Sequence, residues 1–474
     1  MDGSSPAPTL SPNAETANVK AGKTLDSEDA SKPDINEDID PANEVQGTKL
    51  VLIHLSICLC TFLVGLDFNL IATAVPVITA DFNSTRDIGW YGAAFMVAMC
   101  ASQPLAGKVY TLFSKKTSYL LYISVFELGS LLPIGGASAA IFFLLVHINP
   151  TANEKKPIGT RLQTLDALGL TLFAGSITML LLALQWGGVE YGWSSSSIIG
   201  LFVGFGVVLF LFIFWSIRRG EDALVPLRLF TINRNPVIIC AASFFVNGPF
   251  QVIIYWLPIW FQGILSASPV RSGINFFPTV ISDVLAAFIG SGIVTQVGWW
   301  NPFLIFAEVM VCLGGGLLTT IYPNISGAYW VGYQIFGGVG YSLASNLDLV
   351  PLGSSALLTI MSTSCAIFMA IGQTVFQKQL QVNLGKVVPE NVVKKIVDSG
   401  VTDVASLVDA AELPAVIEKY SLSVTQVFYI PAVAPVISFL LLLGCKWIST
   451  KCKQDPAAAT DVREKTDSEQ VVVI

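Results

Sequence analysis

The sequence predicts an all-α, polytopic membrane protein built as a helical bundle, and three observations support that class. Hydrophobic side chains make up 53% of the 474 residues, whereas charged side chains make up only 12%. The mean hydropathy is +0.66, which is far more apolar than a soluble protein, where about 25% of residues are charged. The charges that remain lie between apolar runs of about 20 residues, the length that a helix needs to cross a bilayer.

The first 48 residues are the exception to this apolar character. They contain ten acidic residues and three lysines, so their balance of −7 equals the net charge of the whole chain. They lack the basic start and the apolar core of a signal peptide, and their composition is typical of disorder. We therefore expect a disordered acidic tail over residues 1–48, followed by a first transmembrane helix that acts as the insertion signal.

Ten apolar runs each predict one membrane-crossing helix. They lie near residues 50–74, 87–106, 165–186, 197–217, 237–261, 276–296, 302–322, 327–346, 353–376 and 424–446. An eleventh run, from about residue 117 to 148, is harder to assign. As one helix its 32 residues would extend about 48 Å, which is too long for a hydrocarbon core of about 30 Å. Two crossings of about 16 residues would each extend about 24 Å.

Loop charges decide between these two assignments, because lysine and arginine favour the cytoplasmic side of a membrane. Ten basic residues from three loops fall on one side only if the run crosses twice, with a turn at residues 133–136. These residues are Lys108, Lys115, Lys116, Lys155, Lys156, Arg161, Arg218, Arg219, Arg228 and Arg234. The sequence thus predicts about twelve transmembrane helices, with both termini in the cytoplasm.

The segment 377–423 lies on the outer side in this topology. It carries five lysines, offset by six acidic residues. Its apolar residues recur at helical spacing, which predicts short amphipathic helices over the outer mouth of the bundle. The residues with this spacing are Val392, Val393 and Ile396, and then Val404, Leu407 and Val408.

Cysteine and histidine usage argues against an enzyme. The eight cysteines lie almost all in apolar segments, where cysteine is a small buried hydrophobic residue, so we predict no disulfide framework. Two histidines, His54 and His147, are too few for a histidine-rich metal centre. We therefore predict that the chain is not an enzyme and binds no metal. Two N-glycosylation sequons, at Asn83 and Asn324, fall in short loops on the outer side.

Two stretches near the start of the apolar region carry a family resemblance. The string from Leu66 to Pro76, LDFNLIATAVP, is followed by Ile88-Gly-Trp-Tyr-Gly92. Together they resemble the first-helix signature of the fourteen-helix drug:proton antiporters of the major facilitator superfamily, in particular the fungal toxin-efflux branch. Residues 107–116, GKVYTLFSKK, stand where that superfamily has a basic loop between helices two and three. Thr111 and Ser114 replace the Asp and Gly that are usual there, so a charge relay through that Asp does not carry over.

Further stretches continue the resemblance in the same order along residues 49–446. They are Leu165-Asp166-x-x-Gly169, Tyr191-Gly-Trp193, Pro226-Leu-Arg228-Leu-Phe, Ser272-Gly273 with Phe277-Pro278, Asn301-Pro-Phe303, Gly314–Gly316 and Val350-Pro-Leu-Gly353. The resemblance implies a proton-coupled transporter that exports amphipathic small molecules, such as drugs, toxins or secondary metabolites, by alternating access. It implies no cofactor beyond a proton gradient. The expected partners are the small-molecule substrate, protons and the bilayer, with no nucleic acid, in a plasma-membrane monomer.

The chain departs from the family in its helix count. The family has six helices, two linking helices and six more, whereas this chain has four, two and six. The arginine motif of the fourth helix and the Gly-Pro-x-x-Gly-Gly motif of the fifth are missing from the sequence. The junction lies near Leu131–Pro133, and a smaller shortening precedes Asp348. The alternative interpretation is therefore a transport-inactive, truncated or mis-spliced member that acts at most as a membrane scaffold.

These inferences give a domain organisation. We expect a cytoplasmic tail over 1–48, a shortened N-terminal bundle over 49–148 and two linking helices over 165–217. A C-terminal six-helix bundle follows over 237–446, including the outer segment 377–423, and a second cytoplasmic tail covers 447–474.

Candidate site residues are ionisable or aromatic groups at membrane depth. Acids are costly there and point to function, and without a basic neighbour they stay protonated for much of the time. The proton-coupling candidates are Asp67, Glu127, Asp283 and Glu308. The substrate-cavity candidates are Trp90, Tyr91, Phe245, Asn247, Gln251 and Tyr255, which mix rings and amides as a drug-binding wall does. The basic-loop candidates are Gly107, Lys108, Lys115 and Lys116. The alternative for the acids and aromatic residues is a role in packing.

Overall fold

The computed structural model of the chain describes residues 88–130, 165–188, 190–220, 223–224, 234–352, 355–398 and 411–447, together with residue 408 and parts of 51–78. The predicted acidic tail 1–48, the second crossing of the run 117–148 and the tail from residue 448 lie outside the described residues. Asp67 and Asn83 lie outside them as well.

Five described helices precede the C-terminal half, and each falls where an apolar run predicts it. They are α1 (Val51–Cys60), α2 (Ile88–Leu112), α3 (Lys115–Ser130), α4 (Ala167–Trp186) and α5 (Ser196–Arg219). The linking helices begin at side-chain caps, since Asp166 accepts from the main-chain nitrogen of Gly169 and Ser195 from that of Ile198. Such caps satisfy main-chain donors that have no partner within the helix.

The described C-terminal half has helices at all six positions where the sequence predicts crossings, together with one short helix. The elements are α6 (Arg234–Leu265), α7 (Pro269–Val297), α8 (Asn301–Leu318), α9 (Gly327–Leu352), α10 (Ser355–Leu384), α11 (Glu390–Asp398), α12 (Leu413–Thr425) and α13 (Tyr429–Leu442). A 3₁₀ turn at Gln426–Phe428 joins α12 to α13. Seven helical segments of the described chain are long and apolar enough to cross a membrane.

The last crossing begins earlier than the predicted residue 424. Helix α12 starts at Leu413, with Pro414 in its first turn, a position that suits proline because the missing donor has no helical partner there. Val416 and Tyr420 are buried against the core, and Trp260 donates a hydrogen bond to the Ser421 hydroxyl at 2.9 Å. The extension is stabilised by this packing, which hydropathy alone does not predict.

The outer segment contains the first of its predicted amphipathic helices. Helix α11 buries Val393 and Ile396 in the main hydrophobic core, while Glu390 and Lys394 are exposed. The prediction is thus confirmed for Val392–Ile396. The second predicted stretch, with Val404 and Leu407, lies outside the described residues.

Glycines bring α7, α8 and α9 into close backbone contact. A Cβ atom on Gly340 would lie 2.5 Å from the main-chain nitrogen of Val311, and one on Gly338 would lie 2.5 Å from the main-chain oxygen of Thr279. Small residues have this role at helix contacts within membranes. Helix α9 is therefore packed tightly against both α7 and α8.

Helix α4 lies in contact with helices of both halves. It packs against α2 and against α10. Cys100 of α2, Phe173 and Ile177 of α4, and Ala366 of α10 share one buried apolar cluster. A hydrogen bond from the Thr374 hydroxyl to the main-chain oxygen of Leu184, at 3.0 Å, joins α10 to α4. Helices α2 and α10 also pack directly against each other.

Candidate functional site at the centre of the helical bundle

Asp283 lies at the middle of α7, with fourteen residues on either side of it in the helix. Its side chain is half-buried and interacts electrostatically with the phenol of Tyr341 on α9. The neighbouring Ser342 hydroxyl donates to the main-chain oxygen of Asp283 at 2.7 Å. About 21 Å of helix extends to each side at 1.5 Å per residue, so this predicted proton-coupling candidate lies at the centre of a helix long enough to cross a membrane.

The ring of Tyr341 is held by an aromatic partner. Phe250 of α6 stacks on it with ring centroids 3.9 Å apart and an angle of 8° between the planes. Phe250 is itself fully buried. A nearly parallel ring pair of this kind restricts both side chains, so the Tyr341 hydroxyl is held in a defined position.

Both halves contribute to the region around Tyr341. Cys365 of α10 lies near Tyr341 and near Cys100 of α2, and it packs against the buried cluster that contains Cys100. Close by on the same two helices, the Ser362 hydroxyl donates to the side-chain oxygen of Gln103 at 2.7 Å. The central polar residues thus adjoin the contact between α2 and α10.

The four substrate-cavity candidates on α6 divide into two pairs. Phe245 is half-buried, with an edge contact to Phe368. Asn247 is buried and donates from Nδ2 to the main-chain oxygen of Ser243 at 2.9 Å. Its Oδ1 has no hydrogen-bond partner among the described residues. Gln251 and Tyr255 lie farther along the helix and are buried within the packed core.

Glu308 lies in a different environment from Asp283. It is 2% exposed, and its Oε1 is 2.6 Å from the Ser438 hydroxyl of α13, which also lies 3.1 Å from the main-chain oxygen of Ala242. A hydroxyl has only one hydrogen to donate. Ser438 thus donates this hydrogen either to Oε1 of Glu308 or to the main-chain oxygen of Ala242. This carboxyl group therefore fits a packing contact between α6, α8 and α13.

The remaining candidates lie on described helices, but several of their side chains do not belong to the described part. Trp90 and Tyr91 lie in the first turn of α2, Glu127 lies near the end of α3, and Lys115 begins α3. Asn324 is exposed in the turn between α8 and α9. No group of three His, Cys, Asp or Glu side chains that could hold a metal occurs among the described residues.

The basic loop predicted over residues 107–116 is shorter in the structure. Gly107 and Lys108 lie within α2, which continues to Leu112, and Lys116 lies in the first turn of α3. A main-chain hydrogen bond from Phe113 to Val109, at 2.9 Å, continues the helical pattern past the end of α2. The connection is therefore reduced to the two residues between the helices.

The carboxylate of Asp166 joins several segments of the chain. In the sequence this residue stood out only as part of the stretch from Leu165 to Gly169. Its carboxylate accepts hydrogen bonds from the main-chain nitrogens of Gly169 at 2.9 Å and Leu224 at 3.0 Å, and from the indole of Trp215 at 2.8 Å. Arg219 lies 3.9 Å away. Burial raises the pKa of Asp166, but these hydrogen bonds and the Arg219 charge outweigh it and hold the pKa below its usual value. An Asp at the start of a predicted helix indicates a helix cap. The sequence does not indicate that the same carboxylate also meets Trp215, Leu224 and Arg219.

Comparison with known proteins shows which family this chain resembles. Residues 57–148 match the model of the Major Facilitator Superfamily. The chain is 30% identical to the efflux pump roqT of Penicillium rubens, over 85% of this chain and 91% of that protein. It is 31% identical to the MFS-type efflux pump MFS1 of Arthroderma benhamiae, over 90% of this chain and 96% of that protein. It is 30% identical to the MFS-type transporter astH of Aspergillus oryzae, over 86% and 88% of the two chains.

The alignments also show that this chain has internal gaps relative to these proteins. The alignment with roqT runs over 496 positions, whereas 85% of 474 residues is about 403 residues of this chain, which leaves about 93 positions opposite gaps. The alignment with MFS1 runs over 522 positions against about 427 residues, which leaves about 95. A difference of this size exceeds the length of two transmembrane helices of about 20 residues each.

Proposed function

The chain belongs to the major facilitator superfamily of membrane transporters, and from this membership we propose that it exports amphipathic small molecules in exchange for protons. The observation that carries the proposal is its similarity to fungal efflux pumps and transporters over 85–90% of its length. The proposed substrates are drugs, toxins or secondary metabolites. The proton gradient supplies the energy, and we propose that the chain works as a monomer in the plasma membrane, with both termini in the cytoplasm.

We assign the coupling role to Asp283, together with Asp67 in the motif of the first helix. The support for Asp283 is its central position in α7 and its proximity to the phenol of Tyr341. A carboxyl group at this depth changes charge at high energetic cost unless a substrate or a proton compensates it. Competition between a proton and a polar substrate for this group would couple the two fluxes. Glu308, with its hydroxyl partner Ser438, is assigned to packing instead.

The substrate path is proposed to lie between the halves, next to the contact of α2 with α10. Phe245 and Asn247 on α6 provide a ring and an unpaired amide oxygen for an amphipathic molecule. Few polar groups placed in an otherwise apolar wall are typical of small-molecule sites. In alternating access the contact from Ser362 to Gln103 would break on the side that opens.

A second candidate function is that of a transport-inactive family member. The specific support is the gap of about 93 positions relative to roqT, which we propose removes the fourth and fifth helices of the N-terminal half. The organisation of four, two and six helices that results retains orientation, since an even number of crossings is lost. Such a chain would insert normally but would act at most as a scaffold.

Flux measurements in vesicles distinguish the two functions. The full chain, reconstituted into liposomes with an imposed pH gradient, is tested with a set of amphipathic fluorescent dyes that includes rhodamine 6G. We expect gradient-driven flux in the parent, a loss of at least tenfold in Asp283→Asn, and parent-like flux in Glu190→Gln, a change in an exposed loop. Flux that persists in Asp283→Asn contradicts the coupling assignment. Absence of flux for every dye supports the inactive alternative.

A further inference from the structure

A groove of about 580 Å³ runs between α7, α8 and α9. Its walls include Leu285, Ala286 and Ile289 of α7, Phe303 and Phe306 of α8, and Val339 of α9. Ser282 is the one lining residue with a polar side chain, and its hydroxyl donates to the main-chain oxygen of Thr279 at 2.9 Å. The acceptor lone pairs of Ser282 are therefore the one polar feature that the side chains lining the groove offer to a ligand.

The groove opens outward from the helical bundle. Leu285 is 55% exposed, Ile289 is 60% exposed and Phe306 is 47% exposed. These residues lie on α7 and α8, which are long and apolar enough to span a membrane. Apolar surface at that depth faces hydrocarbon rather than water. The molecules that meet this opening are therefore the lipids of the bilayer.

The length of the groove matches one leaflet. From Ser282, next to the middle of α7, to Ile293 the helix advances eleven residues, or about 16 Å, which is close to half of a hydrocarbon core of about 30 Å. Beyond that end, the exposed rings of Trp299 and Trp447 lie 6.3 Å apart. Tryptophan collects at the membrane–water interface, so the pair marks the headgroup level. The groove thus runs from the interface to the midplane.

The groove is long relative to its volume. A volume of 580 Å³ over about 16 Å gives a mean cross-section of about 36 Å². A groove of this shape suits a single flexible chain.

We propose that this groove binds one acyl chain of a bilayer phospholipid. The chain enters from the level of Trp299 and Trp447 and ends near Ser282. It fills the space between α7 and α8 that direct packing leaves open, where Gly290 already brings α7 against Leu343 of α9. The bound lipid thereby becomes a structural part of the C-terminal half.

Photolabelling tests the proposal. The full chain is reconstituted in phosphatidylcholine that includes a fraction with a diazirine in the middle of one acyl chain, and labelled peptides are quantified by mass spectrometry. The internal reference is the face of α5 formed by Val203, Val207 and Phe210, which is 54–67% exposed and lies outside the groove. We expect at least threefold more label on Leu285–Ile293 and Pro302–Phe306 than on this face. Equal labelling means ordinary annular lipid and overturns the proposal.

Variants that fill the groove provide a second test of the proposal. Ala286→Trp places a ring in the groove, and Ile335→Trp does so from the exposed rim on α9, in case the first variant does not fold. Either change is expected to lower the label on Pro302–Phe306 at least threefold, whereas the matched change Val207→Trp on α5 leaves it unchanged. Label that persists in a folded filled variant overturns the proposal. Displacement of the label by excess sterol identifies a sterol as the occupant and overturns it as well.

Discussion

The carboxylate of Asp166 accepts a hydrogen bond at 2.8 Å from the indole nitrogen of Trp215, and this contact joins the first residue before α4 to the last turns of α5. The same carboxylate accepts from the main-chain nitrogen of Leu224, in the segment that leads toward α6. One buried side chain thus closes the pair of linking helices at one end and fixes the direction in which the chain leaves it.

Removal of this carboxylate is expected to destabilise the linking helices. Asp166→Ala removes a helix cap, worth about 1 kcal/mol, and leaves the Trp215 and Leu224 donors unpaired, so we expect a loss of about 3 kcal/mol in all. Asp166→Asn retains an acceptor and should lose less. Thermal unfolding of the purified chain in detergent measures the difference. The control is Ser195→Ala, the cap of α5, whose 3.4 Å contact should account for about 0.5 kcal/mol. Equal effects of the two alanine variants would contradict the central role of Asp166.

The pH dependence of stability should contain a contribution from the same residue. Because the pKa of folded Asp166 is held below its usual value, its contribution to stability is fully present above that usual value and is lost as the pH falls through the folded pKa. We expect the stability difference between the parent and Asp166→Asn to be constant from pH 7 to 5 and to shrink below about pH 4. Unfolding midpoints at a series of pH values test this. A stability difference between the parent and Asp166→Asn that grows toward acid pH would contradict this prediction.

Glu308 should matter for stability through its packing. Glu308→Gln keeps the volume, and its side-chain oxygen can still accept from the Ser438 hydroxyl, so we expect a cost below about 1 kcal/mol. Glu308→Ala leaves a cavity in a closely packed region and should cost about 3 kcal/mol. Unfolding in detergent measures both changes. The control is Glu418→Ala, whose exposed pair with Lys419 should contribute little. A glutamine variant as unstable as the alanine variant would show that the charge of Glu308 matters.

Two glycines on α9 form a matched pair for testing helix contact. A Cβ on Gly340 would lie 2.6 Å from the main-chain oxygen of Ala307, whereas one on Gly332 meets nothing within 4 Å. We expect Gly340→Ala to destabilise the chain by about 2 kcal/mol, since α8 must move away. Gly332→Ala should be neutral or stabilising by up to about 1 kcal/mol. Unfolding midpoints of the two variants, measured side by side, check the prediction. Similar midpoints would show that the α8–α9 contact tolerates a methyl group.

The helices were predictable because the membrane imposes a simple requirement on sequence. The apolar run 276–296 gave the central part of α7, which the structure extends to Pro269–Val297. The ends were missed because they depend on local contacts. Ser268 caps the start of α7 with Pro269 behind it, and Gly298 ends the helix with a positive φ of 83°. A hydropathy profile detects neither the Ser268 cap nor the Gly298 end.

The candidate site was only partly predictable, for a related reason. Asp283 and Glu308 look alike in sequence, as single acids within apolar runs. The two acids differ in which helices pack against them, and single-helix periodicity does not predict that packing. In the structure Asp283 lies near Tyr341, and Glu308 lies beside Ser438. Tyr341 was missed because nothing in the spacing of its helix distinguishes it from other aromatic residues.

The contacts of α4 indicate which helix interface would slide if the two halves of the bundle rock against each other. Helix α4 is hydrogen-bonded to α10 through Thr374 and Leu184, and in the described part of the chain it shares an apolar cluster with α2. We therefore expect the linking pair to travel with the C-terminal half. The interface around Cys100 would then slide over apolar side chains, and the hydrogen bond from Ser362 to Gln103 would have to break. Substitutions on that surface should change the speed of the transport cycle before they change what the protein binds.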